Sequence, residues 1–312
     1  MGISEDKGFS SAGGTPAAGS AKKHALPYVL ALVLFGSNGV IASYIALSSY
    51  EIVLLRSLLG SLLLAGLFLL SGRRITALHH PRDLVCILCS GAAMAADWLL
   101  LFEAYARMGV GLSMVVNYCG PAIVVALSVP LFRQRLPWKK ALALAAALAG
   151  AFLISGAAGT QGGDLTGLLC AVLSAFAYAG MVLCSKLTRH VKGMEHAALQ
   201  LFAATATVVI FVGLRQGLYV RPAPSDWLPI LWLGLVNTGL ACFFYFSSIG
   251  ALPVQTVAVC GYLEPLAAVV LAALILGERM QPLQLCGGAL ILGGAIFSEL
   301  SAGKKRRCAR TP

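Results

Sequence analysis

The chain has 312 residues, of which 59% are hydrophobic and 11% charged, with a mean hydropathy of +0.85 and a net charge of +11. A water-soluble domain carries about 25% charged residues, so this many apolar side chains cannot all be hidden in one soluble core, and a bilayer must act as solvent for part of the surface. The surplus cations do not indicate a nucleic-acid binder, because they sit in short loops between apolar runs, where they act as topology signals.

Residues 1–25 are rich in Gly, Ser and Ala and hold no apolar run, which predicts a disordered cytoplasmic tail rather than a cleaved signal. A membrane-spanning helix needs about 20 apolar residues. Ten segments of this kind follow, at 26–47, 51–70, 84–106, 111–132, 138–155, 165–187, 196–214, 227–249, 254–276 and 283–300. The Gly-rich stretch 156–163 separates segments five and six and reads as a hinge. A first five-helix repeat at 26–155, a second at 164–300 and a basic cytoplasmic tail at 301–312 complete the division.

Loop charges test this count. With the N-terminus inside, 18 of the 23 Lys and Arg fall on the inner side, and Arg107, Arg215, Arg221 and Arg279 fall outside. Arg56 lies within segment two. So uneven a split places both termini in the cytoplasm of a multi-pass protein of the cytoplasmic membrane.

The halves also resemble each other. An offset of 144 carries Glu51 onto Glu195, Leu55 onto Leu199, Phe102 onto Phe246, Tyr118 onto Tyr262, Pro121 onto Pro265, Arg135 onto Arg279 and Gly150 onto Gly294. Five spans per copy is odd, so the second copy must insert upside down. The expected fold class is therefore an all-α membrane protein of ten transmembrane helices in two inverted five-helix repeats.

Eight of the nine cysteines lie in apolar segments and read as small buried hydrophobes. Cys86-x-x-Cys89 has no nearby His or second pair, so no metal is expected. Glu51, Asp83, Asp164, Glu195 and Asp226 stand at helix starts, where a carboxylate accepts free backbone N–H groups, and Ser48 to Glu51 has capping-box spacing. Glu103 is placed to pair with Arg107 one turn on.

Asp97, Glu264 and Arg56 have no such explanation. An ionised side chain at the bilayer centre costs about 2.5–3.5 kcal/mol, so it faces a protein interior or a wet cavity. Asp97 and Glu264 lie within about 3 Å of their segment midpoints at 1.5 Å per residue. Asn38, Asn117, Tyr118, Tyr178, Asn237 and Tyr262 share that central layer, Trp98 adjoins Asp97, and Arg56 lies about one turn outward. This layer is the expected substrate site. The plainer alternatives are a buried ion pair of Arg56 with an acid, interhelical bonding by Asn237, and packing by the tyrosines. The twin prolines Pro121 and Pro265 free the carbonyls of Asn117 and Gly261, which either meet substrate or mark a packing kink.

Phe35-Gly-Ser-Asn38, Tyr262-Leu-Glu-Pro265 and Leu276-Gly-Glu-Arg279 resemble the EamA-type repeat of the drug/metabolite transporter superfamily, over about residues 27–300. The first copy departs from the pattern, with Gly120-Pro121 and Arg133-Gln134-Arg135 in place of the acidic forms. The resemblance implies a carrier of the amino-acid and metabolite efflux type.

The expected function is secondary transport of a small polar metabolite by alternating access, with protonation of Asp97 or Glu264 as a candidate coupling step. An uptake carrier is the alternative, and a polytopic membrane enzyme or a structural membrane protein lies further off. The expected partners are a small-molecule substrate and the lipid bilayer, with no nucleic acid, no cofactor, and a monomer or homodimer. No Walker-type phosphate loop is present in the sequence. Reporter fusions at Gly159 and Gln216 should report the outside, and a fusion after Lys192 the inside; the opposite result at any of the three removes the ten-helix count.

Overall fold

The computed structural model describes residues 18–72, 75–132, 138, 142, 145–146, 149–150, 153, 164–191, 193–249, 252, 260–261, 263–283, 285–294 and 297. All the regular elements among them are helical. Five helices are long and apolar enough to cross a membrane: Ser49–Leu70, Pro81–Met108, Leu165–Leu187, Gly193–Arg215 and Pro224–Tyr245. Shorter apolar helices at Ala25–Gly36, Val110–Val124, Leu263–Leu276 and Leu285–Gly294 match segments one, four, nine and ten. Segment five, at 138–155, lies mostly outside the described residues.

The short helices are short for local reasons. Segment one stops at Gly36, turns at Ser37 and resumes as Asn38–Ala42. Segment four breaks at Tyr118 and Cys119, immediately before Pro121, whose missing N–H cannot continue the helical ladder. Segment eight is wound as a π-helix over Trp232–Leu240, and the Thr238 hydroxyl donates to the carbonyl of Leu233 at 2.8 Å. Segment nine ends in a π turn, Ala272–Leu276. Irregular backbone of this kind is tolerated at membrane depth where protein or a cavity, rather than lipid, surrounds it.

Large apolar side chains point out of the bundle. Leu70 is 86% exposed, Leu214 85% and Leu274 78%, which fits a surface solvated by hydrocarbon. The interior is filled by Val53, Leu54, Ala95, Phe102, Val208 and Leu233 in its largest cluster, drawn from segments two, three, seven and eight.

Much of the packing between segments is repeated on exchange of the halves. Segment three packs on six and seven, and segment eight on one and two. Segment four packs on six, and segment nine on one. Two packs on seven and four on nine, pairs that map onto themselves. A set of contacts that closes on itself in this way is the mark of a pseudo-two-fold axis.

The acidic residues at helix starts divide into two kinds. Glu51 makes the expected capping box with Ser48, and the Asp164 carboxylate accepts from the N–H groups of Thr166 and Gly167. Arg107 bridges Glu103 at 2.8 Å and Asp164 at 3.0 Å. That guanidinium, with the backbone N–H groups behind it, holds the Asp164 carboxyl below its usual range. The stabilisation is therefore present at neutral pH and lost as pH falls through the lowered value. Asp83 and Glu195 depart from the expected self-capping. The backbone N–H groups of Arg189, His190 and Val191 donate to Asp83 at 3.0, 2.6 and 3.2 Å, and that of Ala77 to Glu195 at 2.8 Å. Each carboxylate thus satisfies a loop of the other half, a partner that sequence spacing cannot show.

The Gly-Glu-Arg element acts similarly. Gly277 adopts φ +68 and ends segment nine, and Glu278 accepts from the N–H groups of Val110 and Gly111 at 2.8 and 2.9 Å. Its counterpart at 133–135 lies outside the described residues.

Gly36 marks the closest approach of segments one and nine. A Cβ there would lie 2.5 Å from the carbonyl oxygen of Glu264 and 2.7 Å from Ala267 Cβ. Gly36→Val should therefore destabilise the protein by about 1–3 kcal/mol through overpacking. Gly66→Ala, at a position with nothing within 4 Å of the new atom, should not. Thermal unfolding of the two variants in detergent checks the contrast.

Candidate functional site

Segments one to four and six to nine surround a cavity of about 450 Å³. Of the residues singled out from the sequence, Asn38, Arg56, Asp97, Trp98, Asn117, Tyr118, Tyr178, Pro121 and Glu264 line it. Asn237, Gly261 and Pro265 do not, and Tyr262 lies outside the described residues.

The acidic wall is built from Asp97 of segment three and Glu264 of segment nine. Asn117 Nδ2 donates to Asp97 Oδ1 at 3.0 Å and to Ser174 Oγ at 2.8 Å, tying segments three, four and six together. Glu264 stands in the first turn of the described helix Leu263–Leu271. At the twin position stands Gly120, and the Tyr178 ring occupies the space beside it: a Cβ on Gly120 would meet that ring at 2.6 Å. The offset thus pairs an acid of the second half with a glycine of the first, and the second half's Tyr178 ring fills the space beside that glycine.

Arg56 is 3% exposed. Its Nε donates to Thr238 Oγ1 at 3.2 Å, and its guanidinium carbon lies 4.6 Å from the Trp98 ring centre and 4.9 Å from that of Phe102. The buried ion pair weighed as an alternative is absent: neither Asp97 nor Glu264 lies within 4 Å of this cation. Cation–π contact and a hydroxyl hold it instead.

Asn237 is fully buried away from the cavity. Its Nδ2 donates to the carbonyl of Leu34 and to Ser37 Oγ at 2.8 Å, and to Asn38 Oδ1 at 3.2 Å. It joins the break in segment one to the π-helix of segment eight, the interhelical role set beside the binding role above. Gly261 is likewise engaged by protein: the Tyr118 hydroxyl donates to its carbonyl, the one freed by Pro265.

The cavity contains residues that the midplane argument missed, among them Gln200, Thr238, Tyr105, Tyr245, Met94 and Ser185. The repeat offset could have found several. Asn38 and Val182, Arg56 and Gln200, Met94 and Thr238, Trp98 and Cys242, and Leu101 and Tyr245 are each 144 apart, and every one lines the cavity. Contacts repeat with the positions. Arg56 donates to Thr238, and Gln200 Nε2 to Met94 Sδ at 3.7 Å. The cavity therefore surrounds the pseudo-two-fold axis.

The profile of the EamA-like transporter family matches residues 24–156 and 165–300. A protein of Bacillus subtilis (strain 168) named "Uncharacterized transporter YxxF" is 26% identical over 271 residues, 85% of this chain and 86% of its own. A "Probable terminal-alkyne amino-acid exporter" of Streptantibioticus cattleyicolor is 26% identical over 75% of this chain and 79% of its own. A "Probable amino-acid metabolite efflux pump" of Salmonella typhimurium (strain LT2) is 27% identical over 65% and 71%. One solved crystal structure superposes with a TM-score of 0.62 over 89% of this chain and 99% of its own at 19% identity, a likeness of fold.

If Tyr118 holds the carbonyl that Pro265 releases, the two residues share one contact. Tyr118→Phe and Pro265→Ala should then couple in a double-mutant cycle, with the double variant losing about 0.5–1.5 kcal/mol less than the sum of the singles. Additive losses in thermal unfolding would show that the bond carries no stability.

Proposed function

The chain belongs to the EamA-like transporter family, and we propose that it is a secondary transporter exporting a small polar metabolite, an amino acid or a close relative, across the cytoplasmic membrane. The observation that carries this reading is the cavity shared by both halves, with Asp97, Glu264 and Arg56 on its wall. Three ionisable groups at membrane depth are expensive unless they serve a polar path. Amino-acid export and amino-acid metabolite efflux, the functions in the names of two relatives, support the solute class and the direction.

Alternating access follows from a two-fold set of contacts, because two similar halves can rock about a site on their axis. In this reading, repeats 26–155 and 164–300 are inverted, ten helices cross the bilayer, and both termini are cytoplasmic. The cavity runs from Asn38 and Arg56 to Ser185 and Lys186 at the end of segment six, which the loop charges place on the inner side. At the opposite face Glu278 caps Val110 and Gly111, above the apolar cluster of Val40, Val110 and Ala272. That arrangement fits an inward-open state.

Asp97 and Glu264 are the carboxylates on the cavity wall among the described residues, and proton exchange there is the proposed coupling step. Asp97→Asn and Glu264→Gln should abolish transport or flatten its pH dependence while leaving the membrane-inserted yield intact. Efflux of the solute found by profiling cells with and without the protein provides the readout. If both variants keep the wild-type rate and pH profile, coupling by these acids is ruled out.

A further inference from the structure

Arg56 is a buried cation with no carboxylate of a described residue within 4 Å. Among the described residues its one hydrogen bond is from Nε to Thr238 Oγ1. Its two terminal nitrogens bond to no described residue, and Arg56 lines the cavity. Trp98 and Phe102 pack against the guanidinium and fix its plane. An ionised group taken out of water is normally paired. Here the protein holds the cation by its neck and rings and leaves the planar fork of donors toward the space a solute enters.

We infer that Arg56 is the receptor for a carboxylate on the transported solute. This assignment rests on the transport reading and names the chemistry of one end of the site. Two parallel N–H groups match the two oxygens of a carboxylate, a geometry that lysine cannot supply. A phosphate fits less well, because its charge of about −1.5 to −2 would share the cavity with both Asp97 and Glu264. The twin position holds the neutral Gln200, bonded to Met94. Among the described residues Arg56 is thus the guanidinium on the cavity wall, with Lys186 at the inner end, and the solute enters from the Lys186 end with its carboxylate leading. A cationic group at the solute's other end then meets the wall of Asp97 and Glu264.

The test uses the purified full-length protein in lipid nanodiscs, with two probe sets differing only at the carboxylate: the free proteinogenic amino acids and their C-terminal amides. Ligand-induced rises in melting temperature give apparent affinities. At least one free acid should bind wild-type protein, and its amide should bind about 10- to 100-fold more weakly, as expected for loss of charge-assisted hydrogen bonds. Arg56→Gln should lose the preference for the acid. Arg56→Lys, which keeps the charge and guards against simple misfolding, should retain a weaker preference. An amide that binds as well as its acid, an Arg56→Gln protein that keeps the wild-type preference, or a wild-type protein that responds to no free acid overturns the assignment. Metabolite profiling of expressing and non-expressing cells separates this failure from the other. A changed solute pool that bears no carboxylate overturns the assignment but upholds transport, whereas no changed pool overturns both.

Discussion

Hydrocarbon offers no partner to a hydrogen-bonding group, and the architecture of this protein follows from that constraint. Most of the chain meets it by forming helices, whose backbone bonds are internal. Where a helix breaks, a named side chain takes over. Tyr118 serves the carbonyl released by Pro265, and Asn237 serves Leu34 at the break in segment one. Asp83, Glu195 and Glu278 serve N–H groups of the opposite half. These contacts come from other segments, so the breaks they close tie the halves together.

Duplication explains where the cavity lies, and divergence explains its chemistry. Related halves repeat each other's contacts, so that Arg56 bonds Thr238 in one place and its twin Gln200 bonds Met94, the twin of Thr238, in the other. If both copies had kept the same residues, the site would be symmetric and either end of a solute would fit. Instead the first half supplies Arg56 and Asp97, and the second supplies Tyr178, Thr238 and Glu264. Symmetry suits a scaffold that works the same way facing either side. Broken symmetry gives the cavity a cationic and an acidic wall.

The family motifs acquire physical meanings in this setting. Gly36 lets segment one approach the Glu264 carbonyl within the reach of a missing Cβ, and Ser37 and Asn38 receive Asn237. Gly277 turns the chain so that Glu278 caps segment four. These are contacts between halves, and their spacing along the chain gives no hint of their targets.

Hydropathy and loop charge determined the membrane class and the apolar segments, because the bilayer acts on each stretch of about 20 residues separately. The offset of 144 determined that two halves are related, since it is a property of the string itself. The same local reasoning found the Ser48 capping box and the Glu103–Arg107 pair, whose members lie within one helical turn. It also placed most of the residues it singled out on the cavity wall, because depth along a helix is readable from residue number. Which face each side chain presents depends on the neighbours of its helix, and only the tertiary structure decided that. It turned Asn237 toward segment one, gave Arg56 to Trp98 and Thr238 rather than to an acid, and sent Asp83 across to the loop at Arg189. A helix fixes the height of a residue through its rise, but its rotation is set by packing against segments more than a hundred residues away.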